Sequence, residues 1–394
     1  MKILVIGNRI PWPIKDGGAM ASYQLLKGYA EAGAEVCFVA LNTRKHYLPE
    51  AEIQTAFPFC EVLAIDHDAN LSPWDALRNL LSSRSYFLAR YRNQKALDAL
   101  LEKADWADWV QVEGLYSMPL AWQLKRLKPS VRLVYRAHNV EYQIWSRLAH
   151  SGISWFKKIY LTIQTRRLRA EEEQAWKQVD ALLPISHSDA EAMARVSPNV
   201  PIHLLLPGMN VRLLDPVQIA PDSVSHLGSM EWLANKEAVT WFLQRVWPKV
   251  LAERPQAQFH LAGKGLSKAD PAYFQMGVIN HGEVESSDEF LRHHGLLVVP
   301  LRAGSGIRMK TLEALSLGVP VISTSIGAQG LSVVADKEIC IADEPTLMAS
   351  HILELMENRK KAIEMAENGR IAVAERYQLG PNIQSAMNFL SALG

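Results

Sequence analysis

Short apolar segments alternate with longer amphipathic ones along most of the chain, and this alternation restricts the fold more than any other feature. Apolar runs at 2–7, 35–41, 109–114 and 131–139 are separated by segments with the periodicity of helices. Strands that are connected through helices form parallel sheets, because a tight turn cannot join parallel neighbours. The same pattern restarts near Val224. The sequence therefore predicts an α/β protein with two parallel sheets.

The length of the chain supports a division into domains. A chain of 394 residues is too long for one ordinary hydrophobic core. We expect a first domain over 1–208, a second over 209–377, and a last helix over 378–394 that could pack back on the first domain. Segment 206–222 concentrates proline, glycine and aspartate, as is typical of a hinge.

Composition and cysteine usage narrow the class of protein. A net charge of +1 gives no reason to expect nucleic-acid binding. Cys37, Cys60 and Cys340 are scattered and form no C-x-x-C pair, which favours a reducing compartment. The first residues, MKILVIG, are interpreted as a strand and not as a signal peptide, and no apolar run reaches the length of a membrane span. We therefore expect a cytoplasmic protein.

The segment LVVPLRAGSGIRMKTLEALSLGVPVIST is the most informative part of the chain. Gly304 and Gly306 allow backbone to approach a ligand, and the next helix can present free N–H groups to an anion. Arg308 and Lys310 add two positive charges for a diphosphate. Glu313 shares a helical face with Lys310, so it could accept hydrogen bonds from a ribose diol. The alternative is an ordinary strand–helix–strand unit with a solvated Lys–Glu pair.

The loop after the first strand, GNRIPWPIKDGGAM, differs from a dinucleotide-binding turn. Its Gly17 and Gly18 come ten residues after Gly7, which argues against an NAD-dependent oxidoreductase. These two glycines can still present N–H groups to a phosphate, and Asp16 could accept a substrate hydroxyl. A flexible loop that ends in an aspartate cap is the alternative.

Histidines are the other candidates for chemistry. His138 follows a predicted strand, where it could face a cleft or be a satisfied residue at a strand end. His187, His281, His293 and His294 show no spacing of a known metal motif, so we expect no structural metal.

A basic and aromatic segment lies between Trp155 and Arg169. Its lysines and arginines are interspersed with Trp155, Phe156, Ile159, Tyr160 and Ile163. This mixture permits contact with an anionic membrane surface. The alternative is the solvated basic face of a long helix.

Several motifs together resemble one enzyme family over nearly the whole chain. They are DGGAM, PISHSDAEAM, LPGMNVRLL, HLGSMEWLANKEAV, FHLAGKG, HGEV and PLRAGSGIRMKTLEALSLGVPVIST. With these motifs the chain is similar to the retaining nucleotide-sugar glycosyltransferases of the GT-B fold, in particular to family 4. The resemblance implies two Rossmann-like domains that face a cleft.

The resemblance also implies roles for individual residues. Glu313 matches the ribose-binding glutamate of the family, and Lys236 matches a diphosphate-binding lysine. His138 matches the histidine beside the donor sugar. Gly263 in FHLAGKG follows a predicted strand, where it suits close approach to a donor ligand or a neighbouring chain, and a simple turn is the alternative. The chain departs from the family at Ser305, which stands where a first glutamate is usual, and at the usual arginine place, where Ser229 or Met230 stands.

The function that the resemblance implies is transfer of a sugar from a nucleoside-diphosphate sugar to an acceptor hydroxyl, with retention and without a metal cofactor. A glycan or lipid-linked acceptor of the cell envelope or an exopolysaccharide is the expected partner. A cytoplasmic protein at the inner face of the membrane would suit such an acceptor. The alternatives are a nucleotide-sugar epimerase or hydrolase with the same diphosphate site, and a non-catalytic sugar-nucleotide binding protein.

Overall fold

The computed structural model of the chain confirms an α/β protein with two parallel sheets. It describes residues 1–14, 17–149, 155–209, 220, 222–273, 275–304 and 306–394. The chain divides into two compact units, which are Met1–Gly208 together with Leu379–Gly394, and Met209–Gln378. Most of the predicted hinge, 206–222, lies outside the described residues.

The first unit is built on a sheet of six strands that are parallel in every pairing. The strands are β1 (Lys2–Gly7), β2 (Glu35–Thr43), β3 (Glu61–His67), β4 (Trp109–Glu113), β5 (Leu133–Ala137) and β6 (Ala181–Pro184). Their order across the sheet is β3-β2-β1-β4-β5-β6. The central strands are buried because helices cover both faces of a parallel sheet; β1 is a continuous apolar run, whereas β4 also buries Gln111 and Glu113.

Eight of the described helices connect these strands, and a ninth follows β6. They are α1 (Gly17–Glu31), α2 (Glu50–Ala56), α3 (Pro73–Asn79), α4 (Tyr86–Ala89), α5 (Gln94–Lys103), α6 (Met118–Leu127), α7 (Glu141–Ala149), α8 (Trp155–Lys177) and α9 (His187–Val196). The basic and aromatic segment between Trp155 and Arg169 lies in α8, which starts at Trp155.

The second unit repeats the architecture with a sheet of its own. Its strands are β7 (Ser223–Leu227), β8 (Gln258–Ala262), β9 (Val278–Gly282), β10 (Leu296–Val299), β11 (Val321–Ser323) and β12 (Cys340–Ile341). The order is β12-β11-β10-β7-β8-β9, again parallel throughout. Its helices are α10 (Leu233–Trp241), α11 (Trp247–Glu253), α12 (Ser287–His293), α13 (Met309–Ser316), α14 (Pro345–Glu357) and α15 (Arg359–Arg376).

The helical segment that follows β7 is not regular throughout. A π-helical turn, Phe242–Val246, separates α10 from α11. Pro248 lies at the start of α11 and has no N–H to donate to the carbonyl four residues earlier, which interrupts the regular ladder.

The last helix, α16 (Leu379–Leu393), packs against α1 in the first unit. Gly28 of α1 makes this contact close, because a Cβ there would lie 2.9 Å from Cγ1 of Ile383. Ile383, Ala386 and Leu390 are buried in the same core as Leu25. Among the described helices, none combines the length and the apolar character needed to cross a bilayer.

Candidate active site

The second unit has a topological switch point between β7 and β10. From β7 the chain continues to β8 on one side, whereas β10 is followed by β11 on the other side. The loops that leave the carboxyl ends of β7 and β10 therefore diverge, and ligands of open α/β sheets bind in such a crevice. Gly304, Gly306, Arg308, Lys310 and Glu313 all lie in the loop after β10 or in α13, which it leads into.

Arg308 links the two diverging loops. Its guanidinium lies 5.1 Å from the ring centroid of Trp232, which is in the loop after β7. Gly304 has a φ of +131°, and a Cβ there would collide with the Arg308 guanidinium. The open space at Gly304 is thus occupied by the arginine side chain. Gly306, with a φ of +77°, supplies the left-handed turn that leads into α13.

Lys310 and Glu313 form an ion pair on the exposed side of α13. Lys310 Nζ lies 2.6 Å from Glu313 Oε2, and Ser287 Oγ donates to Glu313 Oε1 at 2.7 Å. Burial by itself raises the pKa of Glu313, but the Lys310 ammonium and the hydrogen bonds outweigh it and the pKa lies below its ordinary value. The side chain of Lys310 remains 45% exposed, so its ammonium can turn to an anion. Glu313 is therefore an ionised acceptor held in a fixed position.

The other residues predicted to bind the donor are distributed around the two sheets. Lys236 is exposed in the first turns of α10, on the loop side of the same switch point. Gly263 follows β8, and a Cβ there would collide with the carbonyl oxygen of Gly228. The missing side chain at Gly263 lets two backbone segments approach each other, and its role toward a ligand stays a prediction. Ser305 lies outside the described residues.

In the first unit, Gly17 and Gly18 form the first turn of α1, a helix of 15 residues. Their N–H groups are at the positive end of the helix dipole, as the sequence predicts for anion binding. Asp16 lies outside the described residues.

The polar centre of the first unit is Glu113, which the sequence did not single out. Glu113 ends β4 and its side chain is 4% exposed. Oε2 accepts from Arg136 Nη1 at 2.9 Å and from Ser22 Oγ at 3.0 Å, while Oε1 accepts from Gln111 Nε2 at 2.7 Å. Burial raises the pKa of Glu113, but Arg136 and His138 overcome it and lower the pKa to about 2. Glu113 is therefore ionised at neutral pH and holds the side chains of Arg136 and His138 in place.

His138 is held by the carboxylate of Glu113. Its Nε2 lies 2.9 Å from Glu113 Oε2 and its side chain is 24% exposed. Because an ionised carboxylate only accepts hydrogen bonds, Nε2 carries the hydrogen and Nδ1 is left for another partner. The arrangement fixes both the orientation and the tautomer of the imidazole.

A buried carboxylate, that of Glu172, also stabilises the start of α7, the helix that follows His138. Glu172 of α8 is buried and accepts from the backbone N–H groups of Glu141 and Tyr142 at 2.8 and 2.9 Å. These are the free donors of the first turn of α7, so α8 satisfies the end of the helix that starts beside His138.

Two groups among the described residues have the geometry to hold a metal ion. They are His260 with His281 and His294, and Asp336 with Cys340 and His351. The three histidines lie on β8, on β9 and directly after α12. Asp336, Cys340 and His351 lie around β12 and α14. Neither group includes a residue of the loop after β10.

Comparison with known proteins agrees with this architecture. The model of the glycosyl transferases group 1 family matches residues 221–358, and that of the glycosyl transferase 4-like domain matches residues 16–208. An uncharacterized 44.6 kDa protein in the cps region of Klebsiella pneumoniae is 23% identical over 95% of this chain and 96% of its own.

Solved structures share the fold over the full length. HepE of Anabaena in complex with UDP has a TM-score of 0.69 at 13% identity, with all of both chains covered. A mutant of TarM from S. aureus, in complex with fondaparinux, alpha-GlcNAc-glycerol and UDP, has a TM-score of 0.70 at 11% identity, with 99% of both chains covered. The two family models together account for both sheets, and the chain belongs to the group 1 glycosyltransferases of the GT-B fold.

Proposed function

We propose that this glycosyltransferase moves a sugar from a UDP-sugar to a glycan hydroxyl with retention of anomeric configuration, as a step in polysaccharide synthesis. The observation that carries the proposal is the group of Arg308, Lys310 and Glu313 at the switch point of the second unit. It offers two cations for a diphosphate and one ionised carboxylate for a ribose diol, which are the groups that a nucleotide requires.

Relatives support the choice of donor and pathway. The HepE and TarM structures both contain UDP, which favours uridine as the base. The Klebsiella relative belongs to a cps region, which favours a polysaccharide as the product. Both statements come to this chain by analogy.

Retention is proposed from the resemblance of the sequence motifs to a retaining family, and Glu113 itself is not suited to act as the base of an inverting transfer. An inverting transfer needs a side chain that removes the proton from the acceptor, and a good base has a pKa near the working pH. Glu113 has a pKa of about 2, and both of its oxygens already accept hydrogen bonds. A mechanism in which the departing diphosphate takes the proton does not need this carboxylate as a base.

The main task of the protein is then to stabilise the negative charge that grows on the diphosphate. Arg308, Lys310 and the first N–H groups of α13 are suited to this, so the proposed transfer needs no metal cofactor. His138 Nδ1 is proposed to contact the transferred sugar, with Glu113 keeping the ring in position.

The experiment is acceptor-dependent turnover of UDP-sugars, followed by proton NMR of the first-formed product. Retention predicts that an α-linked donor gives an α-linked product. A β-linked product would overturn the proposed stereochemistry. Release of UDP at the same rate without acceptor would identify a hydrolase, and binding without turnover on any acceptor would identify a binding protein.

We also propose that the first unit contacts an anionic membrane surface, which suits a lipid-linked acceptor and a cytoplasmic location. The membrane-facing surface consists of large apolar residues on and beside α3 and at the start of α8 that are at least 36% exposed. They are Trp74 and Leu77 on α3, Leu71 and Leu81 on either side of it, and Trp155, Phe156, Ile159 and Ile163 on α8.

The contacts between α3 and α8 support a single surface. Arg167 donates to the carbonyl oxygens of Asn79 and Leu80, both at 2.9 Å, so this arginine joins the two helices. Arg169 pairs with Glu173 at 2.7 Å. The cations that remain exposed beside the aromatic residues are Lys157, Lys158 and Arg166.

Vesicle binding tests this surface. We expect the protein to co-sediment with anionic vesicles and much less with zwitterionic ones, and Trp74→Ser together with Phe156→Ser to reduce the bound fraction strongly. Tyr47→Ser is the matched control, because Tyr47 is 58% exposed elsewhere in the unit. Equal sedimentation of the double variant and the wild type would contradict the proposal.

A further inference from the structure

Three histidines from three different elements of the second unit meet on one face of its sheet. His260 lies in β8, His281 lies in the edge strand β9, and His294 directly follows α12. His260 is paired in register with Ile279. The register shifts between the pairs Leu261–Asn280 and Ala262–Gly282, so His281 is the extra residue of a bulge, and its ring lies beside that of His260 with centroids 5.2 Å apart.

The three rings are close enough to share one ligand. His260 Nδ1 lies 2.9 Å from His281 Nε2, and one ring nitrogen from each histidine lies within 4.8 Å of the others. The ring of His294 stacks on that of His260 with centroids 4.1 Å apart, and Phe290 packs its edge against His281 at 5.4 Å. His260 is buried, whereas His281 and His294 are half-buried, so the cluster is open to solvent on one side.

The geometry matches what zinc requires. In a tetrahedral site with Zn–N bonds of about 2.0–2.1 Å, the ligand nitrogens are about 3.4 Å apart. The nitrogens of His260 and His281 are 2.9 Å apart, and the three ligand nitrogens all lie within 4.8 Å of one another. Binding therefore requires rotation of the side chains, including the stacked rings of His260 and His294. Neutral imidazole is also the form of histidine that binds zinc, and sites with three histidines keep the fourth position for water.

We propose that His260, His281 and His294 form a zinc site with three imidazole ligands and one position open to water. The sequence-based expectation of no structural metal rested on motif spacing along the chain. Here the ligands are 21 and 13 residues apart and are brought together by neighbouring strands and a helix end.

Burial supports neutral rings in the absence of metal. It lowers the pKa of His260 and of His294 to about 4, with the neighbouring histidines adding to the effect. The pKa of His281 is lowered by burial and by the charge of Lys268. The positive charge of Lys268 opposes the binding of a cation by this cluster. Lys268 is exposed, so its side chain can turn away from the three histidines.

The second candidate group is less suited to zinc. Burial raises the pKa of the Cys340 thiol to about 11, and its sulfur contacts that of Met365 at 3.7 Å. The sulfur therefore has an apolar partner in place of a metal ligand, and Asp336 is exposed.

A zinc ion at the histidine cluster would brace two elements that shape the proposed nucleotide site. His281 precedes Gly282 at the carboxyl end of β9, and His294 ends the segment that begins with α12. Ser287, at the start of α12, is the residue that holds Glu313. The site itself is inferred from the histidines alone and does not depend on the proposed sugar transfer.

The test measures zinc content of the full-length chain without an affinity tag. The protein is stripped with chelator, incubated with zinc chloride, desalted and analysed by inductively coupled plasma mass spectrometry. We expect one zinc per chain and a rise in Tm on zinc addition. His281→Asn and His294→Asn should each lose at least nine tenths of the bound zinc and the rise in Tm.

His293→Asn is the matched control, because His293 is adjacent to His294 but bonds the carbonyl of Glu289 instead of joining the cluster. It should bind zinc as the wild type does. Circular dichroism checks that each variant is folded, and either of the two cluster variants is sufficient for the test. Wild-type protein without zinc, or equal zinc in the wild type and a folded cluster variant, would overturn the proposal.

Discussion

At the scale of single residues, Arg308 and Glu313 have defined positions before a ligand arrives, whereas the exposed ammonium of Lys310 can turn from Glu313 to an anion. Trp232 and Gly304 hold the guanidinium of Arg308, and Glu313 pairs with the ammonium of Lys310. Preorganised charges of this kind stabilise a transition state without reorganisation at the moment of reaction.

Removal of either cation should reduce the rate of sugar transfer. We expect Arg308→Ala and Lys310→Ala each to lower kcat by about a hundredfold or more, the usual effect of losing one such donor. The measurement is steady-state kinetics with UDP release as the signal. Arg302→Ala is the matched control, because Arg302 is 52% exposed and pairs with Glu237 at 3.4 Å. Its effect should be within about fivefold, as for other exposed ion pairs. Near-normal rates for both Arg308→Ala and Lys310→Ala would exclude the proposed role.

Glu113 should make the folded state sensitive to acid. Its pKa falls from 4.5 to about 2 on folding, so the stability that it contributes is complete above about pH 4.5 and is lost as the pH falls toward 2. Glu113→Gln leaves Arg136 buried without its counter-ion and should cost about 3–5 kcal/mol at pH 7. Urea unfolding at pH 7 and at pH 3 measures both effects.

The gap in unfolding free energy between wild type and Glu113→Gln should therefore narrow at low pH. Glu61→Gln is the control, since Glu61 forms a half-exposed pair with Lys103 and should change stability little at either pH. A gap that stays constant between pH 7 and pH 3 would contradict the ionised, anchoring state of Glu113.

At the scale of elements, the sequence predicts what depends on local pattern. The strands of both sheets are recognisable because buried parallel strands are continuous apolar runs. Pro248 predicts an interruption of the helix near Phe242–Val246. The sequence does not predict that the interruption is a π-helical turn. The Glu113–His138 contact joins residues 25 apart, and it could not be predicted because it depends on β4 and β5 being neighbours.

Helix α16 illustrates the same limit, since its periodicity shows an apolar face but not the partner of that face. The structure places Ile383 at 1% exposure against Gly28 of α1.

Ile383→Ala should destabilise the protein by about 2–5 kcal/mol, as for other buried large-to-small changes. Leu393→Ala is the control, because Leu393 is 40% exposed and should change the free energy of unfolding by less than about 0.5 kcal/mol. Equal effects of the two substitutions would contradict the packing of α16.

At the scale of the whole molecule, the two sheets have similar strand orders but different charged side chains at their switch points. In the first unit, β1 and β4 are neighbours at the switch point and Glu113 anchors Arg136 and His138 there. In the second unit, β7 and β10 lead to the cations of the proposed nucleotide site. The sequence predicted both sheets, whereas the strand order and the contacts of Arg308 with Trp232 and of Ser287 with Glu313 required the structure.

The most direct test of the account is a crystal structure of the protein with UDP. We predict that the diphosphate oxygens lie within hydrogen-bonding distance of the Arg308 guanidinium and the Lys310 ammonium, and that the ribose diol donates to Glu313. A structure with the nucleotide bound elsewhere, and with both cationic side chains directed into solvent, would contradict the central claim.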